Sequence, residues 1–281
     1  MSSTSGELST DKPIKDASTV ILLRDTNDGV ETFMLCRHQK SGFMGGAHVF
    51  PGGKLDDDDL VDAWESHIDG AAGAITERLG EADAARSRGL LVAGVRETFE
   101  EAGVLLATTS GGVDLADVRA RLHEGTTFLS LADETAMRID ADALTPYARW
   151  VTPEFESRRF DTRFYVTVVP EGQEASHDGS ETTSAVWLRP SVAIDRMHSS
   201  EIKLAPPTVR TLQWLADFDT AQAVIDDSLS RKPPLVRPRL VTGDSGWFLA
   251  LPGDPEHPEN DAALPGATRM VMKGTAWVDA D

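Results

Sequence analysis

Apolar positions in this chain follow two patterns. Some form short continuous runs bounded by glycine, proline or aspartate, and others recur every three or four residues. Thr19–Arg24 (TVILLR) and Glu31–Arg37 (ETFMLCR) are of the first kind and read as strands. The cluster Asp25-Thr26-Asn27-Asp28-Gly29 between them reads as the turn of a hairpin. Ala47–Phe50 is a further short run, stopped by Pro51-Gly52-Gly53, three breakers that end a strand and open a closely held loop. Asp56–Asp69 carries seven acids, six Asp and Glu65, with no Lys or Arg. A helical pattern follows to about Leu79, then a polar link to Arg88. Leu90–Ala102 has the periodicity of a helix, ended by Gly103, since glycine accepts the left-handed backbone that closes a helix. Leu115–His123 and Thr127–Ile139 are also helical in pattern, and strands return at Tyr147–Val151, Arg159–Val169 and Ala185–Arg189. Strands separated by helical segments indicate an α/β or α+β fold.

After Pro190 the pattern changes. Pro206–Phe218 and Thr220–Leu229 read as helices and Arg231–Arg239 as a basic, proline-rich connector, with strands around Trp247 and Met270–Val278. The expected organisation is a disordered tail over residues 1–15, a main domain over 16–198 and an extension over 199–281 packed on its core. Within that extension Trp214 and Leu215 are expected in the core.

Length and charge narrow the function. The chain has 281 residues, 40% of them hydrophobic, which suffices for a substantial core. Its net charge of -19 disfavours nucleic acid and anionic membranes, whose phosphates would repel it. No run of 18 apolar residues exists, and the polar segment Met1–Lys12 does not read as a secretory signal. The single cysteine, Cys36, excludes an intrachain disulfide framework and a cysteine-based zinc site, and fits a reducing, cytoplasmic setting. Cys36 itself is expected to be inert packing within a strand.

The segment richest in chemistry is Arg96-Glu97-Thr98-Phe99-Glu100-Glu101-Ala102-Gly103. On a helical wheel Val92, Val95, Phe99 and Ala102 form an apolar stripe, and Glu97, Glu100 and Glu101 lie opposite, with Ala93 and Gly94 expected to leave room above them. Three carboxylates within one turn repel each other, and a divalent cation removes that penalty. Carboxylate oxygens suit Mg²⁺ or Mn²⁺ better than zinc. Arg96 is placed to brace one of these carboxylates. An acidic helix face is usually just solvated, but R-E-x-x-E-E-x-G arises by chance only about once per million start positions.

These residues resemble the Nudix box, G-x5-E-x7-R-E-U-x-E-E-x-G-U, with U a bulky aliphatic. Gly53 matches its first glycine, Arg96-Glu97 the R-E, Glu100-Glu101 the E-E and Gly103-Val104 the close. Thr98 stands where an aliphatic is usual. Gly53 and Arg96 lie 43 positions apart where the box has 14, so 29 residues are inserted, with the insert expected at about 56–88. The first box glutamate has no evident match, and Asp56, Asp57, Asp58 and Asp59 are its candidate replacements, otherwise a solvated loop. Such an insert is similar to the long-insert branch of the Nudix family related to the mammalian peroxisomal coenzyme A diphosphatase. Ala47-His48-Val49-Phe50-Pro51-Gly52-Gly53, Arg158-Arg159-Phe160-Asp161-Thr162 and Leu251-Pro252-Gly253-Asp254 also resemble that branch. A motif preceding the box in other coenzyme A-cleaving members is met at Arg37, Gly46 and Phe50-Pro51-Gly52-Gly53, but its second arginine falls on Gly42.

The resemblance implies a Nudix α/β/α sandwich with a mixed sheet, a helical insert within the box and a C-terminal extension. It also implies two to three Mg²⁺ or Mn²⁺ ions held by Glu97, Glu100, Glu101 and the carbonyl of Gly53, with Arg96 as brace. A further acid from a loop is expected at Glu181, with Asp178 the second choice. Arg37, Phe43, Arg158 and Arg159 are the candidate substrate contacts, with Met44 beside Phe43. His48 reads as a satisfied core histidine. The expected substrate is a small nucleotide-type molecule, first coenzyme A or an acyl-coenzyme A, cleaved to 3′,5′-ADP and the (acyl-)phosphopantetheine. ADP-ribose, NADH or a nucleoside triphosphate is the alternative within the same chemistry, and a non-catalytic nucleotide sensor the alternative outside it. The intact Glu97, Glu100 and Glu101 argue against the sensor. A homodimer is expected by resemblance alone.

Overall fold

The computed structural model describes residues 13–39, 44–70, 72–179, 182–243 and 246–280, and at Ala72 the backbone alone. The chain opens with strands β1 (Ile14–Thr26), β2 (Gly29–Arg37), β3 (His48–Val49) and β4 (Gly52–Lys54). Two short 3₁₀ turns lead to β5 (Ile68–Asp69) and to helices α1 (Ala72–Leu79) and α2 (Ala84–Ala102). Helices α3 (Leu115–His123) and α4 (Phe128–Thr135) precede β6 (Ile139–Asp140), β7 (Thr145–Val151), β8 (Arg159–Val168) and β9 (Thr182–Leu188). Then come α5 (Pro190–His198), α6 (Pro206–Leu215), α7 (Ala221–Leu229), β10 (Leu235–Val236), β11 (Arg239–Gly243), β12 (Gly246–Ala250), β13 (Arg269–Lys273) and β14 (Ala276–Ala280).

The central sheet is mixed, in the order β10-β7-β8-β1-β2-β3. β1 runs parallel to β8 on one edge. Its other edge is shared: Ala17–Thr19 pair with β4 and Leu23–Thr26 with β2. The apolar run in β1 is buried on both faces, so its side chains alternate between two cores. Val20 and Leu22, with Phe33 and Leu35 of β2, meet Leu91, Val92, Val95 and Phe99 of α2 and Trp64, Ile75 and Leu79 of the insert. Ile21, Leu23 and Met34 meet Val209, Leu212 and Leu215 of α6 and Leu249, Leu251 and Met270 of the chain's last stretch. Helices thus cover both faces of the sheet, in the expected α/β/α layering. Trp214, by contrast, is only half-buried, its ring tilted against that of Tyr147 with centroids 5.0 Å apart. Cys36 is half-buried and unpaired.

Several boundaries differ from the sequence reading. β1 begins at Ile14, so Ile14 and Lys15 pair with Arg159 and Phe160 instead of belonging to a loose tail, and residues 1–12 lie outside the described residues. The polar link before Leu90 is helix, because the Asp83 side chain accepts the amides of Ala85 and Arg86 and starts α2 six residues earlier. The helix expected over Thr127–Ile139 stops at Thr135, where Ala136 turns left-handed at φ 51° and frees Ile139 to pair in β6. α5 was not foreseen. It begins on Pro190, a residue suited to a first helical turn. The terminal strand is a hairpin, β13–β14, reversed at Gly274 with φ 63°.

A buried ionic cluster fastens the end of the insert to the sheet. Arg163 of β8, 2% exposed, forks onto Glu81 just ahead of α2 and reaches Asp16 of β1 at 2.9 Å and Asp161 at 3.0 Å. Arg149 of β7 grips Asp161 through two bonds of 2.8 and 2.6 Å, and Arg86 of α2 donates to Asp16 at 2.9 Å. Three guanidinium groups balance three carboxylates, which is what permits their burial. Replacing Arg163 leaves Glu81 only the longer contacts to Arg86 at 3.3 Å and Arg149 at 3.6 Å. Arg163→Met is expected to lower unfolding stability by about 3 kcal/mol in a denaturant titration, whereas a change under about 0.5 kcal/mol would show the cluster to be incidental.

Candidate active site

Helix α2 runs along β1 and carries the acidic residues in its C-terminal half. Gly94 packs tightly on Leu144 and makes ordinary contact with Val20 and Ser18 of β1. A Cβ there would stand 2.8 Å from Leu144 Cδ1 and 3.6 Å from Ser18 Cβ. Ala93 and Gly94 are both buried, so they pack the helix down and do not open space above the carboxylates as expected. Thr98, in the aliphatic position, is wholly buried and donates its hydroxyl to Gly94 O at 2.7 Å, which satisfies its one polar group.

The acidic face is roofed by β4. The Glu97 carboxylate lies against Gly53, in the space that a Cβ on residue 53 would occupy. Gly52 donates its amide to Glu101 Oε2 at 2.9 Å. Gly52 adopts φ 155° and presses on Ser18 and Thr19 of β1, where any side chain would collide. The Pro51-Gly52-Gly53 sequence is thus explained by two close approaches, one to the sheet and one to the carboxylates.

Arg96 is the hub. Its guanidinium forks onto Asp59 through bonds of 2.9 and 2.8 Å, donates to Glu97 at 2.8 Å and to Lys54 O at 3.2 Å, and lies 3.6 Å from Glu100. Asp59 is 2% exposed and also accepts the Asp56 amide. Burial opposes the charge on Arg96, yet Asp59 and Glu97 hold its pKa above the ordinary value. Burial, opposed by Arg96 and reinforced by Glu100, leaves the Glu97 carboxyl pushed up to about 7. Negative charge is therefore in excess and poorly solvated at this point.

Among the four aspartates, the structure singles out Asp59. Asp57 and Asp58 are exposed, and Asp56 pairs with Lys54 at the surface. A readable signal existed: counting G-x5-E from Gly53 lands on residue 59, so the whole insert falls between Asp59 and Arg96. Asp59 is accordingly no part of a solvated loop.

The remaining candidates divide. Glu97, Glu100, Glu101, Arg96 and Gly53 are brought together. Arg37 ends β2 opposite Thr182, with its Nε shielded and lacking a hydrogen-bond partner among the described residues. Asp178 accepts both the amide and the hydroxyl of Thr182, at 3.0 and 2.6 Å. Arg158 and Arg159 are not brought to the carboxylates. They stand at the start of β8, where Arg159 pairs with Ile14, four registers or about 13 Å along the strand from Ser18. Phe43 and Glu181 lie outside the described residues. His48 is half-buried and its Nδ1 has no protein partner, so it is not the satisfied core histidine expected. Burial, then Arg196, lowers its pKa.

The donor set facing β4 is all oxygen, which matches Mg²⁺ or Mn²⁺ rather than zinc. Gly53, with no Cβ, lets its backbone approach as a ligand must. Among the described residues no three Asp, Glu, His or Cys side chains are gathered as a finished cluster. Arg96 and Gly52 instead hold Glu97 and Glu101. The residues fit a cation by composition and by the cradle at Gly53, with these two carboxylates now bonded to protein donors.

A family profile, the NUDT19 Nudix domain, matches residues 82–215. The chain is 30% identical over 274 residues to the Homo sapiens protein named acyl-coenzyme A diphosphatase NUDT19, covering 81% of this chain and 72% of that one. It is 28% identical over 296 residues to the Gallus gallus protein of the same name, covering 89% and 78%. Among solved structures, a NUDIX hydrolase from Alicyclobacillus acidocaldarius is 27% identical with a TM-score of 0.64, covering 76% of this chain and 96% of that one.

The geometry separates the four aspartates by experiment. Asp59→Ala should destabilise the fold by about 3 kcal/mol, by leaving Arg96 half-paired in a buried position. Asp57→Ala and Asp58→Ala should each change stability by less than about 0.5 kcal/mol. Chemical denaturation of the three variants checks both expectations.

Proposed function

The chain belongs to the Nudix hydrolases, in the branch of the NUDT19 Nudix domain, and from that premise we propose that it hydrolyses the diphosphate of coenzyme A or an acyl-coenzyme A. The products are 3′,5′-ADP and 4′-phosphopantetheine or its acyl form. One observation carries the reading: an intact R-E-x-x-E-E-x-G on a packed helix, with the Glu97 carboxylate set against Gly53 and that of Glu101 on the Gly52 amide. The relatives' names supply the substrate class.

A diphosphate resists water because its negative oxygens shield phosphorus. Two to three Mg²⁺ or Mn²⁺ ions, when bound, neutralise that charge and lower the pKa of a coordinated water. In this reading Glu97, Glu100, Glu101 and the Gly53 carbonyl hold them. Arg96 keeps its fork on Asp59 throughout, so Glu97 can serve a cation without leaving the guanidinium unpaired. Arg37 supplies a forked donor for phosphate at the end of β2. Asp178 is occupied by Thr182, which favours Glu181 as the further acid. Arg158 and Arg159, at the start of β8, are given no role beside the carboxylates in this reading. Among the described residues no helix is long and apolar enough to cross a membrane, and the single cysteine suits a reducing, cytoplasmic compartment.

A panel of coenzyme A, an acyl-coenzyme A, ADP-ribose, NADH and the four dNTPs tests the substrate, with Mg²⁺ or Mn²⁺ and chromatographic separation of products. Appearance of 3′,5′-ADP is the expected result, and cleavage of ADP-ribose or NADH alone would contradict it. Glu100→Gln and Glu101→Gln are each expected to lower turnover more than about 100-fold while the melting temperature moves less than about 4 °C. Nucleotide binding without turnover in the unaltered chain would favour a sensor.

A further inference from the structure

The last turn of α2 ends under unusual restraint. A helix leaves its final four carbonyls without intrahelical donors, and such ends fray. Here each of the four has a donor. Phe99 O accepts from Gly103 N at 2.9 Å, Glu100 O from Arg119 Nε at 3.0 Å, Glu101 O from Arg119 Nη2 at 2.9 Å and Ala102 O from Ser176 N at 2.9 Å. Two of these carbonyls belong to the glutamates proposed to hold metal, and one side chain serves both.

Arg119 comes from α3 and reaches further. Its Nη1 and Nη2 also donate to Ser176 Oγ and O, at 3.2 and 3.1 Å. Gln173 ties the same loop to the chain beyond α2, accepting from Leu105 N at 2.8 Å and donating to Leu105 O at 2.9 Å. Gly103 makes the fork possible, since a Cβ there would sit 2.7 Å from Arg119 Nη1, and its φ of 70° suits glycine. A fixed cation at the negative end of a helix is favourable in itself. The cation also sits where the backbone of Glu100 and Glu101 would otherwise move.

We propose that Arg119 is a positioning residue for the reaction, one that clamps the last turn of α2 to the 173–178 loop and so fixes the backbone that carries the carboxylates of Glu100 and Glu101. Sites of this kind tolerate displacements of only about 0.5 Å, so a frayed final turn would weaken metal binding before it weakened the fold. The inference rests on the reading of Glu97, Glu100 and Glu101 as metal carboxylates.

The test uses the full chain with Arg119→Met and Arg119→Lys, and with Arg121→Met as control because Arg121 pairs with Glu134 at the surface. Mn²⁺ affinity is read from the free-ion electron paramagnetic resonance signal. Amide exchange is followed at Gly103 and Ser176 without metal. Arg119→Met is expected to weaken Mn²⁺ binding about 10-fold or more and to speed exchange at both amides, with the control unchanged. Arg119→Lys should recover only part of the affinity, since an ammonium lacks the planar, preset fork that spans the two carbonyls and Ser176. If Arg119→Met does not fold, Arg119→Lys carries the comparison. Wild-type Mn²⁺ affinity and exchange in the Arg119 variants would overturn the clamp. Failure of the unaltered chain to bind Mn²⁺ would overturn the metal reading instead, and the exchange rates would still decide whether Arg119 restrains the turn.

Discussion

One guanidinium, that of Arg96, lies between a buried aspartate and the acidic face of the helix that bears it. The site depends on this contact. Placing Glu97, Glu100 and Glu101 within one turn and covering them with β4 concentrates negative charge where water is scarce. Asp59 adds a fourth carboxylate, yet it does not worsen matters. Instead it engages two of the Arg96 nitrogens in a fork and fixes the remaining one towards Glu97. The result is a brace that does not rely on Glu97 and leaves that carboxylate able to change partners.

That contact closes a long excursion of the chain. Everything from Leu60 to Val95 must leave Asp59 and return Arg96 to it. The return is secured at both ends. Near its start, Arg88 of α2 pairs with Asp62 and Glu65 at 2.7 and 2.6 Å, and Trp64 donates its indole N–H to Asp58 O at 2.9 Å. Near its end, Glu81 is drawn into the cluster around Arg163. Between them Trp64, Ile75 and Leu79 enter the same apolar layer as α2. The insert is thus part of the wall that holds α2 on β1, and its charges are balanced where they are buried.

The parts of this arrangement that sequence discloses are those with local causes. The β1–β2 hairpin, the end of α2 at Gly103 and the R-E-x-x-E-E-x-G string follow from turn chemistry and helical period within a dozen residues. Asp59 was hidden among identical neighbours, although its spacing from Gly53 distinguished it. Gly94 was misjudged because a wheel shows which residues share a side and not what faces them. Here that was β1. Arg158-Arg159 drew attention as adjacent cations, whereas Arg163, four residues on, is the buried one. Arg119 had no signal at all, since its partners are backbone carbonyls that carry no residue identity.

The measurement that bears most directly on the account is the anomalous scattering of manganese in crystals of the protein equilibrated with Mn²⁺. The account predicts ions bonded to oxygens of Glu97, Glu100 and Glu101, at about 2.0–2.5 Å, with the Asp59–Arg96 fork intact. Turnover in crystals or solution with no ion on these carboxylates, or ions bound only after Arg96 has left Asp59, would contradict it.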